Sequence, residues 1–180
     1  PETRAAIWST FLAANAIRSG KLCPRLTDGP VAVVAIRGKA LEALKNPLAR
    51  KVTVVDEGAC DMVLSDGAGD LPQGGAVGVL HGAAQAGSGF RFALWPQQGV
   101  PQVAEVMQAG ASDAEYARAC DLFRRGGLTV ITQRAAPQTY VQGLRAALAA
   151  ERARLLAEGF APDVITQAAW AAGLAETTDQ

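Results

Sequence analysis

Short apolar runs separated by turn residues dominate the first three quarters of the chain. The β-branched segments VAVVAI (31–36) and LTVIT (128–132) are typical of strands that are buried on both faces of a sheet. Further short apolar runs predict strands at 51–55, 61–65, 76–82 and 90–95. The run at 90–95 partly alternates, so we expect it at the sheet edge or in a hairpin. This pattern predicts five to six strands.

Apolar residues at helical spacing predict an N-terminal helix over 2–20 and a short helix over 37–46. We expect the first helix to stop at Gly20. The second should close at Asn46, because Pro47 disfavours helical backbone at the residue before it.

The same spacing predicts the helices that follow Pro96, over 100–110, 111–127, 136–159 and 162–173. Ser112 and Glu115 have the spacing of a capping box. Pro137 suits the first turn of the third of these helices. That helix carries an apolar stripe made of Val141, Leu144, Leu148 and Leu155.

Strands interleaved with helices predict the α/β class. We expect a single-domain sandwich over 1–180, with a mostly parallel or mixed sheet of five to six strands, an N-terminal helix and two C-terminal helices. The C-terminal helical pair, within 136–180, is predicted either to cover the sheet or to form an interface with another subunit.

Charge and composition narrow the possible partners. The 17 basic and 17 acidic residues cancel, which argues against a general nucleic-acid binder. No apolar run reaches the roughly 18 residues that a membrane span requires. The N-terminus lacks the layout of a signal peptide, so a cytoplasmic location is favoured over export. Basic residues concentrate in 1–51 and acidic ones in 52–75, which indicates either two solvated faces or a basic rim for an anion.

Three cysteines, Cys23, Cys60 and Cys120, lie far apart, and His81 is the one histidine. No CxxC pair or other metal-ligand spacing occurs, so we expect no metal site. Three mostly buried thiols are predicted, with one disulfide plus a free thiol left open.

A first candidate site is the turn Arg37-Gly38-Lys39, which follows the strand at 31–36. Free N–H groups at a helix start, reinforced by two cations, suit a phosphate or carboxylate. The turn is neither a GxxxxGK[ST] loop nor a GxGxxG loop. A tight turn with solvated cations explains the same residues.

A second candidate is SDGAGD, in which Asp66 and Asp70 follow the strand at 61–65. Gly67 and Gly69 allow positive φ there. Carboxylates at a strand end can hold a divalent cation, accept a ribose hydroxyl or act as a general base. Asp and Gly are also common in purely structural turns.

Two aromatic side chains complete the candidates. His81 lies at the end of the strand predicted at 76–82, where it could act as a general base or satisfy a local hydrogen bond. Trp95 ends the strand at 90–95, where it could stack on a planar ligand or pack in the core.

Three functions remain open on this evidence. The favoured hypothesis is a domain that binds a small anionic or polar ligand without chemistry, with Arg37, Gly38, Lys39 and Trp95 as ligand-binding candidates. The second is a non-catalytic subunit or scaffold that docks a protein partner through its C-terminal helices. The third is an enzyme built on Asp66, Asp70 and His81. The sequence identifies no cofactor.

Overall fold

The described part of the chain falls into two compact units. The structure is a computed structural model that describes residues 12–68, 76–83, 89–96, 99–134 and 138–171. The units are Pro1–Ala136 and Pro137–Gln180. The expectation of a single domain stays a prediction.

The first unit contains one seven-stranded sheet. Its strands are β1 Val33–Arg37, β2 Thr53–Val55, β3 Met62–Ser65, β4 Ala76–Leu80, β5 Phe90–Trp95, β6 Val103–Met107 and β7 Thr129–Gln133. They lie in the order β2-β1-β3-β4-β5-β6-β7. Strands β1 to β5 are parallel, β6 runs antiparallel to β5, and β7 is parallel to β6. The predicted α/β class and mixed sheet are confirmed, whereas the predicted strand count was too low.

The extra strand is β6, which the sequence predicted as a helix over 100–110. Val103 pairs with Trp95 and Met107 with Arg91. Helical spacing and strand alternation are hard to separate in so short a valine-rich run, and β-branched residues fit a pleated surface well. The segment forms a strand because it pairs with β5 on one side and with β7 on the other. This pairing also places β5 inside the sheet rather than at its edge, and the antiparallel pairing of these two consecutive strands confirms the predicted hairpin.

The described residues contain five α-helices, three in the first unit and two in the second. They are α1 at 12–18, α2 Glu42–Ala49, α3 Asp113–Arg125, α4 Tyr140–Ala157 and α5 Pro162–Ala171. A short 3-10 helix, Lys39–Leu41, precedes α2. No helix within the described ranges is long and apolar enough to cross a membrane.

Helix α2 continues through Pro47 and ends at Ala49, so the predicted closure at Asn46 was wrong. Leu44 and Leu48 lie one helical turn apart, and both are fully buried. Burying a leucine side chain stabilises by about 1.5–3 kcal/mol. This gain offsets the backbone hydrogen bond that a proline inside a helix removes.

The N-termini of the two long helices are closed by capping boxes. In α3, Ser112 accepts a hydrogen bond from the Glu115 amide and Glu115 accepts one from the Ser112 amide, as predicted. In α4, Thr139 and Gln142 form the same arrangement. Pro137 lies outside the described residues. None of the α4 side chains is buried, so the predicted apolar stripe makes no buried face.

The main core lies between one face of the sheet and helices α2 and α3. It joins strand residues such as Ile36, Leu64 and Phe92 to helix residues such as Leu48 and Phe123. The rings of Phe92 and Phe123 have centroids 5.3 Å apart. Because β1 to β5 are parallel, their carboxyl ends lie along one edge of the sheet.

Candidate functional site

The carboxyl ends of β1 and β3 meet at a switch point in strand order. Strand β2 lies on one side of β1 and β3 on the other, and Arg37 is in register with Ser65. Ligands of open α/β sheets bind in the crevice outside such a point. The structure therefore brings together two loops that the sequence predicted as separate candidate sites, Arg37-Gly38-Lys39 and Ser65-Asp66-Gly67. We call these six residues the switch rim.

Asp66 ties the two loops of the switch rim together. Its Oδ2 accepts a hydrogen bond from the Ala40 amide at 3.3 Å, and its Oδ1 accepts one from the Ala68 amide at 3.0 Å. Its own amide donates to the Arg37 carbonyl at 3.1 Å. The carboxylate thus lies on the first turn after β1, where free amides would otherwise attract an anion.

Glycine is required at two positions of the switch rim. Gly38 has φ +103°, and a Cβ atom built there would lie 1.9 Å from Cγ of Asp66. Gly67 has φ +85°, which confirms the positive φ expected there, and its Cβ would lie 2.4 Å from Cβ of Ala83. The second contact places the loop after β4 beside the loop after β3. Gly69 lies outside the described residues.

The two cations of the switch rim have no carboxylate partner in the part of the chain that the structure describes. Arg37 is half-buried and Lys39 is exposed. The seven ion pairs found among the described residues involve neither side chain.

His81 follows β4 at the same edge of the sheet. Its amide donates to the Phe92 carbonyl at 2.7 Å, which continues the pairing of β4 with β5. Its Nδ1 atom is buried and has no hydrogen-bond partner within the described residues. Asp70 lies outside those residues, so the convergence of Asp66, Asp70 and His81 stays a prediction. No metal-binding group of three His, Cys, Asp or Glu side chains occurs in the described ranges.

Trp95 lies in the interior, where it takes part in a polar network that sequence reasoning missed. The indole N–H donates to Oε1 of Glu105 at 2.7 Å, and the Gln133 amide group donates to Oε2 at 3.0 Å. Glu105 is fully buried. The only sequence signal was a carboxylate inside a valine-rich run. A stacking role for Trp95 stays a prediction.

A second missed residue is Asp56, which directly follows β2. It forms an ion pair with Lys45 of α2 at 2.9 Å. This ion pair raises the pKa of Lys45. The signal in the sequence was an acidic residue at the end of the short strand VTVV.

Comparisons with known proteins give a likeness of fold. No protein-family model matches the sequence, and no curated protein matches it either. A solved structure of a 3-hydroxyacyl-CoA dehydrogenase from Archaeoglobus fulgidus is similar, with a TM-score of 0.56 and 12% identity over 77% of this chain and 68% of that one.

Two further solved structures are similar at the same level. One is a pyridine-carboxylic acid 5-dehydrogenase described as an NAD+-dependent dismutase, with a TM-score of 0.54 and 13% identity over 77% of this chain and 70% of that one. The other is a diketoreductase that acts on dicarbonyl compounds, with a TM-score of 0.56 and 12% identity over 81% and 80%. The chain therefore has an α/β fold like that of these dehydrogenases and reductases.

The switch rim does not fit the pyrophosphate of a dinucleotide such as NAD. A dinucleotide fold places that group against a Gly-rich turn and the helix N-terminus that follow the first strand. Here the turn carries one glycine, Gly38, and the Asp66 carboxylate already lies over it and on the Ala40 amide. A second negative group at the same amide would face electrostatic repulsion from Asp66.

Proposed function

We propose that the chain is a ligand-binding α/β domain that holds a small anionic or polar ligand at the switch rim. The observation that carries the proposal is the pair of cations, Arg37 and Lys39, beside the strand-order switch point and outside every ion pair of the described residues. The similar solved structures support a ligand-binding use of this fold at a coarse level.

The state of Asp66 narrows the class of ligand. Because the Asp66 carboxylate already accepts the hydrogen bond of the Ala40 amide, an anion at the switch rim is held by side chains rather than by a helix N-terminus. The Arg37 guanidinium has the planar fork that matches a carboxylate or phosphate, and the Lys39 ammonium adds a point charge. A single carboxylate or phosphate monoester suits this pair better than a dinucleotide does.

The proposal is tested by thermal unfolding of the purified chain with inorganic phosphate and with citrate. A ligand at about a hundred times its Kd stabilises by roughly 2.7 kcal/mol. We expect the shift to disappear in the Arg37→Ala/Lys39→Ala double variant. Sodium chloride at matched ionic strength separates binding from screening.

The Arg50→Ala/Lys51→Ala variant is the matched control. Both residues are exposed, and they lie just before β2, at the opposite edge of the sheet. The control should keep the full stabilisation. Loss of stabilisation in the control alone would place the anion at the wrong edge and overturn the proposal, as would an unchanged shift in the rim variant.

Protein docking by the C-terminal helices is a second candidate function. Large apolar side chains of the second unit are exposed, with Trp170 71% accessible and Phe160 and Val164 each 50% accessible. Large exposed apolar patches are typical of interaction surfaces. Light scattering of the full chain would show association, and Val164→Asp/Trp170→Ser should abolish it. Leu22→Ser, which removes an exposed leucine from the first unit, is the control.

A further inference from the structure

Cys23 and Cys120, which are 97 positions apart in the sequence, meet in the folded first unit. Cys120 lies on α3 and is fully buried, whereas Cys23 is half-buried in the turn after α1 and packs against the core. Cys23 packs against the core cluster that contains Cys120, and the two thiols lie close enough to influence each other's pKa. The sequence offered no spacing signal for this pair, because only the packing of the turn against α3 creates it.

Several contacts hold Cys23 in this position. Its amide donates to the Gly20 carbonyl at 3.0 Å, and the Leu22 carbonyl accepts from the Thr132 hydroxyl of β7 at 3.3 Å. Gly20 packs so closely on α3 that a Cβ atom there would lie 3.0 Å from Cδ of Arg124. The two thiols therefore belong to segments that are anchored to each other.

A solvent-facing cavity gives small reagents a route to Cys23. The cavity has a volume of about 300 Å³, and its lining includes Cys23, Arg25, Asp121 and Arg124. Cys120 is not part of the lining. Cys23 is thus the accessible member of the pair and Cys120 the protected one.

The charges around the pair favour a thiolate on Cys23. The neighbouring Cys120 thiol lowers the pKa of Cys23 to about 7, against the opposing effect of burial, and Arg124 lowers it further while Asp121 raises it. The pKa of Cys120 is raised, first by the neighbouring Cys23 and then by burial. Tyr116 lies near both sulfurs, and burial raises the pKa of its hydroxyl, so it stays neutral there.

We propose that Cys23 and Cys120 form a peroxide-sensitive dithiol, in which Cys23 is the nucleophile at the cavity and Cys120 is the resolving thiol. The Cys23 thiolate attacks one oxygen of hydrogen peroxide, the O–O bond breaks, and the leaving hydroxide takes up a proton to become water. Cys23 is then a sulfenic acid.

In the second step the Cys120 sulfur attacks the Cys23 sulfur. The S–S bond forms, the S–O bond breaks, and the hydroxide leaves as water with the Cys120 proton. The two thiols supply two electrons to one peroxide, and the products are one disulfide and two waters. The disulfide would fasten the turn at Cys23 covalently to α3.

Peptide mapping of the unmodified full chain after treatment with hydrogen peroxide is the primary test. We expect one intramolecular disulfide that links the peptides containing Cys23 and Cys120, with Cys60 still reduced. A disulfide that involves Cys60, or oxidation of Cys60 ahead of Cys23, would overturn the proposal. This measurement needs no variant, so a folding defect cannot obscure it.

Two variants of Cys120 separate its role in forming the disulfide from its effect on the reactivity of Cys23. Cys120→Ala and Cys120→Ser should both trap the Cys23 sulfenic acid, detected as a dimedone adduct, because neither can form the disulfide. Only Cys120→Ser keeps a polar O–H group beside the Cys23 thiolate. We therefore expect the rate of alkylation of Cys23 by iodoacetamide at pH 7 to fall about fivefold in the Ala variant and by less in the Ser variant. The fall is only about fivefold because the unsubstituted protein has more Cys23 thiolate, but that thiolate is a weaker nucleophile. Equal rates in all three proteins would contradict the assigned contact.

Discussion

Gly38 lies directly beneath the carboxylate of Asp66, so closely that a Cβ atom on Gly38 would lie 1.9 Å from Cγ of Asp66. Residues from the ends of two neighbouring strands thus share one position, and the carboxylate holds the amide of Ala40 from there. This contact makes the Asp66 turn a structural joint between β1 and β3. It also removes a main-chain anion site that the fold would otherwise present.

Substitution of Gly38 by alanine should be strongly destabilising. The residue combines a backbone that L-residues rarely adopt with a clash against Asp66, and backbone strain alone costs of order 1–3 kcal/mol. Gly58→Ala is the matched control, because Gly58 has φ +107° and nothing within 4 Å of the added Cβ. Urea unfolding should show a greater loss for Gly38→Ala than for Gly58→Ala. Equal losses would mean that Asp66 does not lie where the structure places it.

Asp61 should give the chain a measurable acid sensitivity. Its Oδ2 accepts hydrogen bonds from the Ala32 and Val33 amides at 2.7 and 2.9 Å, and these bonds lower the pKa of Asp61 below its usual 3.8. A lowered folded-state pKa contributes stability that is complete above the usual value and is lost as the pH falls through the folded value.

Asp61→Asn keeps an acceptor oxygen but removes the charge, so the difference in stability from the unsubstituted protein should shrink below about pH 4. Asp61→Ala removes the acceptor as well and should cost about 1–2 kcal/mol at pH 7, at the lower end for a half-exposed side chain. Chemical denaturation at several pH values measures both. A pH-independent difference for the Asn variant would refute the role of the charge.

The buried contact between Trp95 and Glu105 should be sensitive to truncation. Glu105→Ala leaves the Trp95 indole and the Gln133 amide without the oxygens that accept their bonds at 2.7 and 3.0 Å. An unsatisfied buried donor costs about 1–3 kcal/mol, which applies to the Trp95 indole, whereas Gln133 is half-buried and should cost less. Glu105→Gln keeps one acceptor oxygen and should lose less. Tryptophan fluorescence during urea unfolding follows both variants, and an Ala variant as stable as the Gln variant would contradict the network.

Replacing Pro47 by alanine should stabilise the protein. Pro47 lies inside α2, where it lacks the amide that would complete the helix ladder. Alanine restores that donor, and after allowance for the greater freedom of the unfolded chain we expect a gain of about 1–2 kcal/mol. Differential scanning calorimetry should show a higher Tm. An unchanged or lower Tm would indicate that α2 ends before Pro47, as the sequence pattern suggested.

Local patterns succeeded where one physical effect dominated. The runs at 31–36 and 128–132 predicted β1 and β7 because continuous β-branched residues favour a strand. The expected burial of the second run was wrong, since β7 lies at the sheet edge and Val130 is its one buried residue. Ser112 and Glu115 predicted the start of α3 because a capping box is complete within four residues. The same reasoning failed at 100–110 and at Pro47, where partners distant in sequence decided between two locally acceptable structures.

The sequence by itself determined the α/β class, the positions of most elements and the loops that contain the candidate residues, since these follow from hydrophobic period, turn chemistry and caps. Only the tertiary structure decided that the loops at Gly38 and Asp66 share one rim, that Glu105 is buried beside Trp95, and that Cys23 meets Cys120. Each of these contacts is between segments that are distant in sequence. The order of strands in the sheet, or the packing of a turn on a helix, brings those segments together. That order and that packing depend on summed burial across the whole core, which no local pattern contains.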